Sequence, residues 1–157
     1  MKTPVAGDPF PVAASHDRSR STRPGAHAPI HVLVAEDDPV GRLLASRLLN
    51  RLGHTVVTAE NGRLAVEAFG KERFDLVLMD MQMPEMSGIE AAMLIRASEA
   101  GTGRRVPIIA LTANTKSNAV SQCLAAGMDA HISKPYRAPD LFEAIARLLP
   151  QAPPTAA

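Results

Sequence analysis

The chain has 157 residues, a formal net charge of +1, 46% hydrophobic residues and only 3% aromatic ones. That length supports one domain with an aliphatic core, and the near-neutral balance excludes strong attraction to nucleic acid or to an anionic membrane. A single cysteine, Cys123, excludes an internal disulfide, no apolar run approaches the ~20 residues of a membrane span, and the N-terminus lacks a signal-peptide core, which together indicate a soluble, cytoplasmic protein.

Residues 1–29 are rich in Pro, Ala, Ser, Arg and His without a period, and read as a disordered tail. Ile30–Ala35 reads as a buried strand running into Glu36, Asp37 and Asp38. Asp38 suits a helix N-cap and Pro39 a first turn. The helix they open extends to about Arg51, with Val40, Leu44 and Leu48 at four-residue spacing and Leu43 and Leu52 beside them. Thr55–Ala59 is a short strand. Asn61 or Gly62 then opens a helix with Leu64, Ala65, Ala68 and Phe69 on one face, ending at Gly70.

Leu76–Met79 is an apolar run that ends in Asp80, followed by Met81-Gln82-Met83-Pro84. Such a run, bounded by turn signals, reads as a strand buried on both faces. Ser87 can cap the next helix, which carries Ile89, Ala92, Met93 and Arg96. Val106–Leu111 is a fourth strand, ending at Thr112. A helix with Val120, Cys123 and Leu124 follows. Ala130–Ser133 is a fifth strand, ending at Lys134-Pro135, and Pro139 starts a last helix with Leu141, Ile145 and Leu148 at core spacing. Residues 151–157 form a second tail. Five successive strand–helix units predict an α/β fold, a doubly wound five-stranded parallel sheet with helices on both faces.

A parallel sheet puts the C-terminal ends of its strands along one rim, where open α/β sheets bind ligands. Here that rim gathers Glu36, Asp37, Asp80, Thr112 and Lys134. Each like-charged carboxylate pair at ~4 Å costs about 4 kcal/mol at an effective dielectric of 20. A divalent cation removes that cost, and all-oxygen ligands favour Mg²⁺. Lys134 adds a fixed positive charge and Thr112 a hydroxyl donor. A nucleophilic carboxylate, a metal and cationic and hydroxyl clamps are the parts that phosphoryl transfer needs, with Asp80 as the acceptor.

The stretches 31–39 (HVLVAEDDP), 78–88 (LMDMQMPEMSG), 107–113 (PIIALTA) and 127–135 (GMDAHISKP) occur in an order and spacing that resembles the receiver domain of two-component response regulators, over about residues 30–150. The resemblance implies a flavodoxin-like sheet of order 2-1-3-4-5. It implies that Asp80 accepts a phosphoryl group from a partner phosphohistidine, on a sensor histidine kinase or a histidine phosphotransfer protein. It also implies that Asp37, Asp80 and the backbone carbonyl of Gln82 ligate Mg²⁺ with help from Glu36. Lys134 would pair with the carboxylate and then with the phosphoryl group, Thr112 would swing in to bond a phosphoryl oxygen, and Ala113 would leave the site open. Lys134–Pro135 is expected to be cis. A changed surface would then bind a downstream protein target.

Two positions depart from the commonest pattern, and two more bear on the lifetime of the modification. Glu36 stands where an Asp is usual, as in receivers of hybrid sensor kinases. His131 occupies a switch position more often held by Tyr or Phe, and is expected to be partly buried. Gln82 and Asn114 sit where the lifetime of an acyl phosphate is set. Two other readings use the same residues: an aspartyl-phosphate phosphatase of the haloacid-dehalogenase type, disfavoured because Asp80 is followed by Met81-Gln82 and not x-Asp, and an unphosphorylated interaction module, disfavoured because acceptor and lysine are both present. Met1 and the ragged tails favour a free-standing receiver over a segment of a hybrid kinase.

Overall fold

A computed structural model describes residues 28–113 and 117–149. The expected tails, apart from residues 28 and 29, and Asn114 lie outside the described residues. Five strands, β1 (His31–Ala35), β2 (Thr55–Ala59), β3 (Leu76–Asp80), β4 (Ile108–Thr112) and β5 (Ala130–Ser133), alternate with five helices. These are α1 (Pro39–Arg51), α2 (Gly62–Lys71), α3 (Gly88–Glu99), α4 (Ser117–Ala125) and α5 (Ala138–Leu148). All pairings are parallel, and the sheet order is β2-β1-β3-β4-β5, the expected 2-1-3-4-5 arrangement.

Side chains alternate across the pleat, so each central strand feeds two cores. Leu33, Ala35, Val77, Met79, Ile108 and Ala110 face α2, α3 and α4. Val32, Val34, Leu76, Leu78, Ile109 and Leu111 face α1 and α5. This two-sided burial explains why β3 and β4 read as unbroken apolar runs.

Helix boundaries follow their caps. Asp38 accepts from the Gly41 N–H at 2.9 Å. Asn61 accepts from Leu64 N–H at 2.8 Å. Ser87 and Glu90 form a capping box. β4 starts at Ile108, two residues later than expected, because Pro107 has no N–H for the ladder and the Val106 N–H is taken by the Glu99 carboxylate at 2.7 Å.

Five expected positions differ. On α1 the core stripe is Ala45, Leu48 and Leu49, whereas Val40 is 73% and Leu44 43% exposed. Leu48 belongs to both the 40–44–48 row and the 45–48–49 row, and the sheet takes the second. Met93 on α3 and Leu124 on α4 also point outward, leaving Ile95 and Cys123 as the buried neighbours. His131 is exposed on the edge strand β5, where only Ile132 is buried.

Gly88 lets the start of α3 fold back on β3: its N–H donates to the Met81 carbonyl at 3.0 Å, and a Cβ there would lie well inside contact with the Asp80 carbonyl oxygen. Gly88→Ala is therefore expected to destabilise the protein by about 1–3 kcal/mol. Gly70→Ala, in α2 with nothing within 4 Å of the new methyl, is expected to stabilise it by about 0.5–1 kcal/mol. Denaturant midpoints of the two variants measure this; equal shifts would contradict it.

Candidate functional site

Strand register builds the site. Ala35 pairs with Met79, which sets Glu36 level with Asp80. Asp80 pairs with Leu111, and Thr112 pairs with Ser133, the residue before Lys134. The polar residues therefore lie one step along the rim from each other. Glu36, Asp37 and Asp80 each offer a carboxylate oxygen, and these oxygens lie within 4.8 Å of one another. Thr112, Gln82 and Lys134 line the same cleft.

The cleft is half closed. Asp80, Glu36 and Thr112 are buried, while Asp37 and Gln82 are exposed. The Lys134 Nζ stands 2.8 Å from Glu36 Oε2 and 3.3 Å from Asp80 Oδ2. It is thus closer to Glu36 than to the expected acceptor, because the longer Glu side chain reaches across. The Gln82 N–H donates to Asp80 Oδ1 at 3.3 Å, and the Asp38 N–H donates to Glu36 Oε1 at 3.2 Å. The Lys134–Pro135 peptide is cis.

Charge is the strain in this arrangement. Burial, then the hydrogen bond and the charge of Glu36, push Asp80 from the usual 3.8 up to about 7; Lys134 and the Gln82 N–H oppose this. Glu36 moves the other way. Burial works to raise it, but bonds from Asp80, Lys134 and the Asp38 N–H outweigh that and hold it below its ordinary value. Burial works to lower Lys134, and its two carboxylate partners reverse the sign. Two buried carboxyls that must share one proton and one ammonium are short of positive charge. A hard divalent cation fits the all-oxygen donor set and supplies what is missing.

Other residues hold the machinery, and the sequence did not single them out. Arg42, on α1, donates to the carbonyls of Glu36 at 2.9 Å and Asp37 at 3.2 Å, and so fixes the acidic loop. Its position on a surface helix gave no signal. Gly62 at the start of α2 sits against the β3–α3 loop, its N–H donating to the Met86 carbonyl at 3.1 Å. Tyr136, two residues past Lys134, is buried with a hydroxyl that has no hydrogen-bond partner; burial and the Glu36 charge push its phenol up, against Lys134.

The family model of the response regulator receiver domain matches residues 32–146. The sensor protein GacS of Pseudomonas syringae pv. syringae is 43% identical over 115 residues, covering 73% of this chain and 13% of that protein. The chain spans a comparably small share, 15%, of the plant histidine kinases it also matches. Among solved structures, the receiver domain of the sensor histidine kinase PA1611 of Pseudomonas aeruginosa PAO1, with a magnesium ion coordinated in its active-site cleft, is 38% identical with a TM-score of 0.69, over 76% of this chain and 97% of that one. The receiver domain of Saccharomyces cerevisiae Ssk1, co-crystallised with the histidine phosphotransfer protein Ypd1, is 31% identical with a TM-score of 0.70, over 76% of this chain and 88% of that one. With the 2-1-3-4-5 sheet and the acidic rim already in place, these matches establish that the chain belongs to the response regulator receiver domain family of two-component phosphorelay signalling.

Proposed function

We propose that residues 30–150 act as a phosphorylation-controlled switch in which Asp80 is the phosphoryl acceptor. The observation that carries this reading is the Glu36–Asp80–Lys134 contact at the rim, with Asp37 and Thr112 around it. Glu36, Asp37, Asp80 and the Gln82 carbonyl would hold Mg²⁺, which would supply charge neutralisation for the transferring phosphoryl group. The Asp80 carboxylate, oriented by the Gln82 N–H and Lys134, attacks phosphorus. The phosphorus–nitrogen bond to the partner's imidazole breaks, the nitrogen keeps the electron pair and takes a proton, and an acyl phosphate forms on Asp80. Lys134 follows the new charge, and Thr112, one strand over, bonds a phosphoryl oxygen. His131, exposed on β5 beside Thr112's strand, lies on the surface whose shape then changes for a downstream protein target. The chain turns over no external substrate, and its setting is cytoplasmic, as a free-standing receiver or as the receiver segment of a hybrid kinase.

The donor is a phosphohistidine on a sensor histidine kinase or a histidine phosphotransfer protein. Val40, Leu43 and Leu44, 73%, 52% and 43% exposed, form an apolar face on α1 directly after the acidic loop. A partner helix seated there would present its phosphohistidine to Asp80. The co-crystallised Ypd1 and Ssk1 receiver lend support to this pairing.

Three outcomes test the reading. A small-molecule phosphodonor with Mg²⁺ is expected to give one hydroxylamine-labile adduct by mass spectrometry, absent in Asp80→Asn; an adduct that persists in that variant contradicts it. Val40→Asp with Leu44→Asp is expected to slow transfer from a phosphohistidine protein by about tenfold or more, with the small-molecule rate unchanged; equal slowing of both would place the defect in the site. The third concerns pH. Without metal, Asp80 holds a proton up to about pH 7. The folded state then binds more protons than the unfolded one between 3.8 and 7, so the Asp80 contribution to stability falls as pH rises through that window. Glu36, held low, acts in the opposite sense, its contribution being lost as pH falls through its depressed value. Mg²⁺ must displace the Asp80 proton, so its affinity is expected to rise across neutral pH with proton release, measured by calorimetry in buffers of different ionisation enthalpy. A pH-independent affinity contradicts this.

A further inference from the structure

Gly41 is the third residue of α1, and nothing in its backbone requires glycine. Its conformation is helical, and its N–H is engaged by the Asp38 carboxylate at 2.9 Å. Glycine is the poorest helix former after proline, so its presence one turn from the acidic loop calls for another cause. A Cβ at position 41 would lie 3.0 Å from Glu36 Oε2 and 3.1 Å from both Glu36 Cδ and Cγ. Contacts that short force the neighbour to move. Glu36 has little freedom to do so: its side chain is 3% exposed, its Oε2 meets Lys134 at 2.8 Å, its Oε1 accepts from the Asp38 N–H at 3.2 Å, and its own carbonyl is held by Arg42 at 2.9 Å.

We propose that Gly41 is a positioning residue: its missing side chain leaves the slot into which the Glu36 carboxylate folds, so that a glutamate serves at a rim where the acidic pair must hold both Lys134 and a divalent cation. This rests on the reading of Glu36, Asp37 and Asp80 as the cation site. The extra methylene of Glu36, relative to aspartate, is what fills the slot. A methyl at position 41 makes the Glu36 side chain give by a few tenths of an ångström, which shifts its carboxylate relative to the Asp38 amide, the Lys134 ammonium and the place it would take around the cation. Glycine at 41 and glutamate at 36 thus form a matched pair, and the match is one of volume.

The test is a cycle of variants on the full chain: Gly41→Ala, Gly41→Val, Glu36→Asp and Glu36→Asp with Gly41→Ala. Mg²⁺ affinity, the Asp38 backbone amide chemical shift and the thermal unfolding midpoint are read for each. Gly41→Ala is expected to bind Mg²⁺ several-fold more weakly and Gly41→Val more weakly still. The Asp38 amide resonance moves as its bond to Glu36 is displaced, while the midpoint of Gly41→Ala holds or rises because alanine favours the helix. Shortening the carboxylate in Glu36→Asp with Gly41→Ala is expected to restore most of the affinity. Unchanged or tighter binding in Gly41→Ala, or a loss that Glu36→Asp does not relieve, overturns the proposal. Failure of the wild-type chain to bind Mg²⁺ would instead remove the cation reading; the Asp38 amide shift in Gly41→Ala, recovered or not by Glu36→Asp, then still decides whether the slot exists.

Discussion

One ammonium serves two buried carboxylates. Lys134 lies 2.8 Å from Glu36 and 3.3 Å from Asp80, and carboxylate oxygens of those two acids lie within 4.8 Å of each other. A single positive charge cannot neutralise both, so the pair keeps a proton and Asp80 titrates near neutrality. That shortage of positive charge is the constraint from which the chemistry follows. It suits the rim to a divalent cation, and it makes Asp80 a carboxylate whose surroundings change whenever charge is added next to it.

The fold delivers this contact through register. Thr112 and Lys134 are level with the acids only because β4 and β5 are held at fixed heights against β3. At the opposite end of the sheet, a cluster of ion pairs sets those heights. Arg96 on α3 bonds Glu99 at 2.7 Å, Asp129 at 2.8 Å, and the carbonyls of Val106 and Gly127 at 2.8 Å each. Asp129 in turn accepts from the Ile108 N–H, the first residue of β4, at 2.9 Å. Partly buried ion pairs of this kind contribute little net stability but penalise any misaligned arrangement that leaves a charge unpaired. The lead-in to β5 is thereby locked to the start of β4, and the rim residues arrive where the acids need them.

Much of this was legible in the sequence because it depends on local pattern. The five apolar runs, the caps at Asp38, Asn61 and Ser87, and the polar residue at each strand end follow from hydrophobic periodicity and turn chemistry. The less legible features depend on contacts between segments. The Val40–Leu44–Leu48 row looked like a core face, but two apolar rows overlap on α1 and only packing against the sheet chooses between them. His131 alternates correctly for a strand, yet β5 is an edge strand and its outer side chains remain exposed. Arg42 and Gly41 carry no signature of their own, and Gly88 only as the end of the 78–88 stretch: each matters through the atom it touches, the Glu36 and Asp37 carbonyls, the Glu36 carboxylate and the Asp80 carbonyl. The shorter reach of Lys134 to Glu36 than to Asp80 likewise depends on side-chain length at the rim.

Glu36, Asp37, Asp80 and Lys134 form one charge system that a divalent ion would complete. A crystal structure of the full chain grown with Mg²⁺ tests it most directly. The expected ion is bonded to Asp37, Asp80 and the Gln82 carbonyl at about 2.0–2.1 Å, with Glu36 beside it and Lys134 still against Glu36 and Asp80. An ion held elsewhere, or a rim that holds no ion with Mg²⁺ in excess, would contradict it.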